Sequence, residues 1–183
     1  MAELGFTSVR VRARPWRAGD GPGVWKLVQS QGTLFGPPGL ITSLEDAERW
    51  VEQELADAAA TERIKYRFAL ELVGNNTLVG GCRVHFEDVK NRMVSIGMAL
   101  HNEYWGQGYG TEVGALVLQL AFEQLGVHRI EALIEPSNAR SLALVKKAGF
   151  TKEGLLRERI LDEHWIDTEV WSLLEHEWRA QAT

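Results

Sequence analysis

The stretch Trp105–Thr111, WGQGYGT, constrains the fold more than any other part of this chain. It lies between an alternating apolar run that ends at Leu100 and a long apolar-periodic run from Thr111 to Leu125, so the order is strand, glycine loop, helix. Gly106, Gly108 and Gly110 let the backbone turn sharply, and successive N–H groups then converge on one point. The helix that follows adds its unpaired first-turn donors and the positive end of its dipole there, an arrangement that suits a phosphate. The plainer use of such glycines is a change of chain direction. Two sharper alternatives fail on spacing: a dinucleotide fingerprint needs glycine where Thr111 stands, and no Gly-Lys-Ser/Thr follows for a P-loop.

A chain of 183 residues suits one domain, 1–183, that buries roughly 70% of its unfolded surface. Its formal net charge of -5 gives little support to a nucleic acid or an anionic membrane as partner and favours a cationic guest. The first thirty residues alternate arginine with apolar residues, so neither a signal peptide nor a membrane span is expected. Cys82 is the single cysteine; no internal disulfide and no metal site are expected, and a cytoplasmic location follows.

The segment Ser8–Arg14 alternates Val9, Val11 and Ala13 with three arginines, the period of a half-buried strand that Pro15 ends. Asp20 opens a helix to about Gln29, and Gly32–Gly39, with its glycines and prolines, is a loop. Ser43 with Asp46 resembles a capping box before a helix to about Ala60. Leu44, Ala47, Val51, Leu55 and Ala58 form its apolar face, and Glu45, Asp46, Glu48, Glu52, Glu54 and Asp57 a solvated one. Strands Tyr66–Val73 and Leu78–Phe86 join across Asn75-Asn76, and Met93–Leu100 completes a meander. The helix Thr111–Leu125 is expected to be buried nearly all round and to stop at Gly126. Strand Arg129–Ile134 and helix Asn138–Ala148, capped by Asn138 and ended by Gly149, follow. Strands Leu155–Leu161 and Thr168–Leu174 flank a turn at Asp162-Glu163.

The frame Trp105-Gly106-Gln107-Gly108-Tyr109-Gly110 resembles the acyl-CoA pyrophosphate loop of the GCN5-related N-acetyltransferases (GNAT), Q/R-x-x-G-x-G/A, with Trp in the first position. The longer phrase HNEYWGQGYGTE looks like the branch of RimJ/RimL type, the ribosomal-protein N-terminal acetyltransferases, where that Trp is usual. A second stretch, Glu135–Glu158, resembles the later motif of the same family: Asn138, Ser141, Gly149, Phe150, Glu153 and Gly154 match it in order. The resemblance implies an α+β fold, a central mixed sheet of six or seven strands flanked by helices. That sheet is splayed between the strand ending at Leu100 and the strand Arg129–Ile134, with the pantetheine arm of acetyl-CoA along the backbone of Met98 and Leu100. Pyrophosphate then takes N–H groups of Gln107, Gly108, Tyr109, Gly110 and Thr111, while Asn138 hydrogen-bonds the arm. Ser141 matches the residue thought to meet the leaving thiolate; as a hydroxyl it donates a hydrogen bond rather than a full proton.

Acyl transfer to an amine also needs a neutral amine and a donor for the oxyanion, for which a strand N–H near Met98–Leu100 serves. Many relatives of this branch carry Glu immediately before the Ile-Gly of the third meander strand; here the residue is Ser95. Alternation puts Glu71, Arg83, His85 and Glu87 on polar strand faces, and His85 and Glu87 are the candidate bases. An α-amine is about a tenth neutral at pH 7 and a lysine-like amine far less, so lack of a fixed base favours a peptide N-terminus or an amine of depressed pKa. Trp25, Phe35 and Trp50 are candidate walls for that acceptor. The resulting expectation is an acetyl-CoA-dependent N-acetyltransferase, a homodimer by analogy with the branch. Two rivals are a noncatalytic acyl-CoA-binding sensor, motivated by Ser95, and an unrelated nucleotide-binding protein.

Overall fold

In the computed structural model, which describes residues 5–31, 39–60, 63–161 and 165–181, the run Ser8–Arg14 keeps only Val11–Arg14 as strand, and that strand pairs with a short one that precedes the run. Strands β1 (Phe6–Thr7) and β2 (Val11–Arg14) pair antiparallel, Phe6 opposite Ala13. The turn between them closes where Ser8 N–H donates to the Val11 carbonyl at 2.8 Å. Helices α1 (Gly21–Gln31) and α2 (Leu44–Ala59) follow, then strands β3 (Lys65–Leu72), β4 (Leu78–Asp88) and β5 (Met93–Leu100). After β5 come α3 (Tyr109–Gln119), β6 (Arg129–Ile134), α4 (Ala139–Lys147), β7 (Thr151–Leu161), β8 (Trp165–Leu174) and α5 (Glu175–Gln181). The sheet order is β1-β2-β3-β4-β5-β6-β8-β7, mixed because β5 and β6 run parallel. The eighth strand beyond the expected six or seven is β1, which lies before the expected run Ser8–Arg14. The expected loop 32–38, with Phe35, and the turn at Asp162-Glu163 lie outside the described residues.

The chain forms two compact units, Met1–Val84 with Gly97–Val117 and His85–Ile96 with Leu118–Thr183. In the first, Trp16, Val24, Leu27, Val28, Ile41, Ala47, Val51 and Ala69 make a core against which Trp25 and Trp50 pack. Trp50 meets Trp16 edge to face at 5.1 Å, so it is packed as core. Ser43 Oγ accepts the Asp46 N–H at 3.1 Å, one half of the capping box and worth about 1 kcal/mol, while the Asp46 carboxylate accepts from the Thr42 N–H at 2.9 Å instead of closing the other half. The rest of the α2 expectation needs correction. Leu44 and Leu55 are exposed, whereas Glu54 is buried and ion-paired to Arg67; burial pushes its carboxyl up despite that partner. A helix whose inward stripe is narrow, Ala47 and Val51, leaves room for one charge provided a guanidinium meets it.

Glu71 is likewise not on a solvated face. It is 2% exposed and lies opposite Arg12 in the β2–β3 ladder, held by Arg12 Nε at 2.7 Å and Arg14 Nε at 2.6 Å. Arg14, expected at the surface by alternation, is buried as well, because Asp20 also takes its Nη1 and Nη2 at 2.7 and 2.9 Å. The hairpin turn between β3 and β4 falls where expected, with Asn76 at a φ of +57° and Asn75 Oδ1 accepting the Thr77 N–H.

In the second unit, the predicted helix to Leu125 leaves α geometry early. Leu120–Gln124 is a π turn in which Leu125 N–H reaches the Leu120 carbonyl at 3.0 Å. Phe122 stacks on Trp178 of α5 at 5.1 Å, an element with no signal in the sequence reading. Strand β6 pairs with β8 along all six of its residues, from Arg129 opposite Leu174 to Ile134 opposite Glu169. Its parallel register with β5 covers only Met93–Ser95 against Arg129–Glu131. Strand β7 begins at Thr151, earlier than expected, with a bulge between Lys152 and Gly154.

That bulge gives Glu153 a structural use. Its carboxylate accepts from Arg129 Nη1 at 2.8 Å and from Ser172 Oγ at 2.7 Å, tying β6, β7 and β8 together. The Arg129 hydrogen bonds, then Ser172, hold the Glu153 carboxyl down at about 2. A folded pKa below the unfolded value of about 4.3 contributes stability above that value, lost as pH falls toward about 2. Arg129→Gln is therefore expected to cost about 1 kcal/mol at pH 7, discounted because Glu153 is part exposed, and progressively less between about pH 4.5 and 2. Urea midpoints of both proteins at pH 7, 4 and 3 check this; a gap that stays constant with pH contradicts it.

Candidate active site

Sequence order places the glycine loop immediately after β5, and the local contacts explain why it holds its shape. A short 3-10 turn, Asn102–Tyr104, follows the strand, and Trp105 then folds back so that its indole Nε1 donates to the Leu100 carbonyl at 2.8 Å. Trp at the head of the motif thus ties the loop to the strand end. Gln107 Nε2 donates to the Glu103 carbonyl at 2.6 Å, a second tie. Gly106 and Gly108 have φ of +72° and +85°, the left-handed region that a Cβ disfavours. A Cβ built on Gly106 would meet nothing within 4 Å, so the loop is open there. The first α3 hydrogen bond runs from Glu112 N–H to the Gly108 carbonyl at 3.1 Å. The N–H groups of Tyr109, Gly110 and Thr111 therefore precede the helical ladder. The loop fits an anionic diphosphate: donors ahead of the helical ladder, open space over Gly106, and a helix N-terminus behind them.

The structure adds three residues that the sequence reading left without a role. Arg10, from the β1–β2 turn, lays its guanidinium 4.3 Å from the centre of the Tyr109 ring and donates from Nη1 to the Gln107 carbonyl at 3.0 Å. Its Nε and Nη2 both reach Glu112 Oε2 at 2.8 Å, and Ser8 Oγ donates to the other oxygen of the same carboxylate. Their only sequence signal is an arginine in the alternating run and the acid at the end of the motif. Tyr109 also meets Tyr104 edge to face at 5.8 Å. Met98 is half-buried and Leu100 buried on β5.

In the second unit, Asn138 caps α4, its Oδ1 accepting the Ser141 N–H at 3.1 Å. Asn138 itself is exposed, and its amide nitrogen is the part left to face a ligand; Ser141 is half-buried in the first turn of α4. Gly149 ends that helix at a φ of +81°.

The candidate bases form one group. Glu87 Oε1 accepts from Ser95 Oγ at 2.6 Å and lies 3.3 Å from His85 Nδ1. Ser95 thus has a carboxylate of the neighbouring strand beside it. His85 is half-buried, so the group combines a partly desolvated imidazole with a carboxylate to hold it. Glu71 drops out of this set, being consumed by Arg12 and Arg14. Arg83 lies on the same face, its Nε 2.9 Å from where a Cβ on Gly97 would stand. Cys82 is buried, and burial pushes its thiol well above the ordinary range, so it is no nucleophile. Among the described residues no cluster of His, Cys, Asp and Glu could hold a metal ion, and no helix is long and apolar enough to cross a membrane.

The sheet is mixed, with a glycine loop between β5 and α3, a helix that exposes Thr111, Ala115 and Gln119 along one side rather than being buried nearly all round, and comparison with known proteins gives this arrangement its class. The family model of the acetyltransferase (GNAT) domain matches residues 10–151, so this chain belongs to the GNAT acetyltransferase family. It is 26% identical to the uncharacterized N-acetyltransferase YnaD of Bacillus subtilis over 175 residues, 94% of this chain and 98% of YnaD. It is 33% identical to the uncharacterized N-acetyltransferase p20 of Bacillus licheniformis over 113 residues, 61% of this chain and 64% of p20's own length. A crystal structure of a GNAT-family acetyltransferase from Bacillus anthracis superposes with a TM-score of 0.81 at 26% identity, covering 95% of this chain and all of that one.

Proposed function

We propose that this chain is an N-acetyltransferase of the RimJ/RimL-like branch, acting on a primary amine with acetyl-CoA as co-substrate. The observation that carries this is the loop after β5, where the N–H groups of Tyr109, Gly110 and Thr111 stand ahead of the α3 ladder and Gly106 has open space where a side chain would be. Gln107, Gly108, Tyr109, Gly110 and Thr111 would hold the pyrophosphate, the backbone of Met98 and Leu100 the pantetheine arm, and the Asn138 amide that arm as well. Acetyl-CoA supplies a thioester whose carbonyl carbon accepts the amine. His85, backed by Glu87, takes the proton that the amine must lose, and the Ser141 hydroxyl donates a hydrogen bond to the departing sulfur. The Ser95–Glu87 bond supports an enzyme over a binding-only sensor, since it sets a carboxylate beside Ser95. The acceptor is a peptide N-terminus or a small amine, the chain's net charge of -5 favouring a cationic guest. We place the protein in the cytoplasm, as a homodimer.

Thiol release from acetyl-CoA across free N-terminal peptides, polyamines, amino acids and aminoglycosides tests this. Turnover on one class is expected and names the acceptor. Ser141→Ala should lower kcat on that amine about tenfold to a hundredfold, the worth of one hydrogen bond to a charged group, with CoA affinity unchanged. Silence across the panel with CoA binding intact in calorimetry would favour the sensor.

A further inference from the structure

Glu112 poses a problem for the pyrophosphate site. It occupies the first turn of α3, beside the N–H groups that would face an anion, and its carboxyl is held below the ordinary range. Burial would push it up, but hydrogen bonds from Ser8 and Arg10 outweigh that. A full negative charge thus stands at the helix end where a second anion is to bind. Arg10 is the only guanidinium among the described contacts that reaches it, through Nε and Nη2 at 2.8 Å, and the Arg10 backbone N–H donates to the other carboxylate oxygen at 2.9 Å. The same guanidinium is fixed from two further sides, by the Tyr109 ring and the Gln107 carbonyl, and it lies against the loop: a Cβ on Gly108 would stand 3.3 Å from Nη2. Three N–H hydrogens of the guanidinium go to Glu112 and Gln107; the remaining two are uncommitted in these bonds.

We propose that Arg10, from the β1–β2 turn, is a positioning residue of the cofactor loop: it cancels the charge of Glu112 and anchors the Gln107 carbonyl, so that the loop donors meet a diphosphate without an opposing charge. This rests on the acetyl-CoA reading above. It makes the N-terminal hairpin part of the cofactor site, and it predicts an effect confined to the phosphate-bearing half of the cofactor.

The test is a comparison of acetyl-CoA with S-acetylpantetheine, which lacks the pyrophosphate. For Arg10→Ala, the dissociation constant and KM for acetyl-CoA are expected to rise about tenfold at low ionic strength, and less at high salt, as for a unit charge near the loop. KM for S-acetylpantetheine and kcat should stay within about twofold, which a merely structural loss would not produce. Arg10→Ala combined with Glu112→Gln should recover most of the acetyl-CoA affinity, because the opposing charge is then gone. Glu112→Gln alone keeps the guanidinium and should bind CoA more tightly than the natural protein; this arm stands even if the arginine variant folds poorly. Equal losses on both thioesters, no recovery in the double variant, or weaker binding by Glu112→Gln would overturn the proposal. Failure of the natural protein to bind CoA at all would instead remove the acetyl-CoA reading itself.

Discussion

Replacing Glu71 with alanine is expected to lower the free energy of unfolding by about 3 kcal/mol, the low end for breaking a buried ion pair from one side. Glu71 is 2% exposed and bonds two guanidinium groups, Arg12 at 2.7 Å and Arg14 at 2.6 Å. The loss falls mainly on Arg14, whose side chain is 9% exposed and cannot turn outward to water. Asp20 keeps two contacts to Arg14, which is why the cost stays near the lower limit. Burial alone would push the Glu71 carboxyl up, yet the hydrogen bonds from Arg14 and Arg12 hold it below the usual range, so the charged form is the one that the fold needs. Urea unfolding at pH 7 measures the effect. A change under about 1 kcal/mol would mean that water or a shifted Asp20 replaces the carboxylate, and the network would then not be what fixes β2 on β3.

Replacing His85 with alanine is expected to reduce kcat a hundredfold or more on the acceptor found, within the range for removal of a general base, while the dissociation constant for CoA stays within about twofold. An amine arrives mostly protonated, and only an imidazole changes charge between pH 5 and 8 without help from its surroundings. Glu87 lies 3.3 Å from His85 Nδ1 and is fixed in turn by Ser95 Oγ at 2.6 Å, so the imidazolium formed on taking the proton meets a carboxylate already in place. Glu87→Gln should therefore give a smaller loss, about tenfold, and should move the acid limb of the kcat/KM profile downward, because the protonated ring loses its partner. Were His85→Ala to leave both kcat and that acid limb unchanged, the proton would leave by another route, such as ordered water, and the group would be a strand-pairing feature only.

Much of the site could be read in the chain because its signals are local. The strand before the loop, the positive-φ glycines, the Asn138 cap and the Gly149 stop each depend on a few neighbouring residues, and each stands where its residue type predicts. The acidic face of α2 shows where local reading fails. Helical spacing groups Glu54 with the solvated acids, but Arg67, thirteen residues on, brings it inside. Glu71 and Arg14 fail in the same way: period-2 alternation tells which face a side chain takes, and not whether that face is covered. The Glu153-Gly154 pair, matched as part of a motif, proves to brace three strands.

The sequence by itself determined the strand–loop–helix that suits a diphosphate, the caps that bound α2 and α4, and membership of an acetyltransferase family, because these rest on backbone freedom and hydrogen bonds between residues a few positions apart. Only the tertiary structure decided that Arg10 is set against Glu112 and Gln107, 102 and 97 residues away, and that Glu87 accepts a hydrogen bond from Ser95 on the neighbouring strand. Charge pairing across distant strands leaves no periodic trace, since it needs only one residue of each sign at the right place once the sheet has formed.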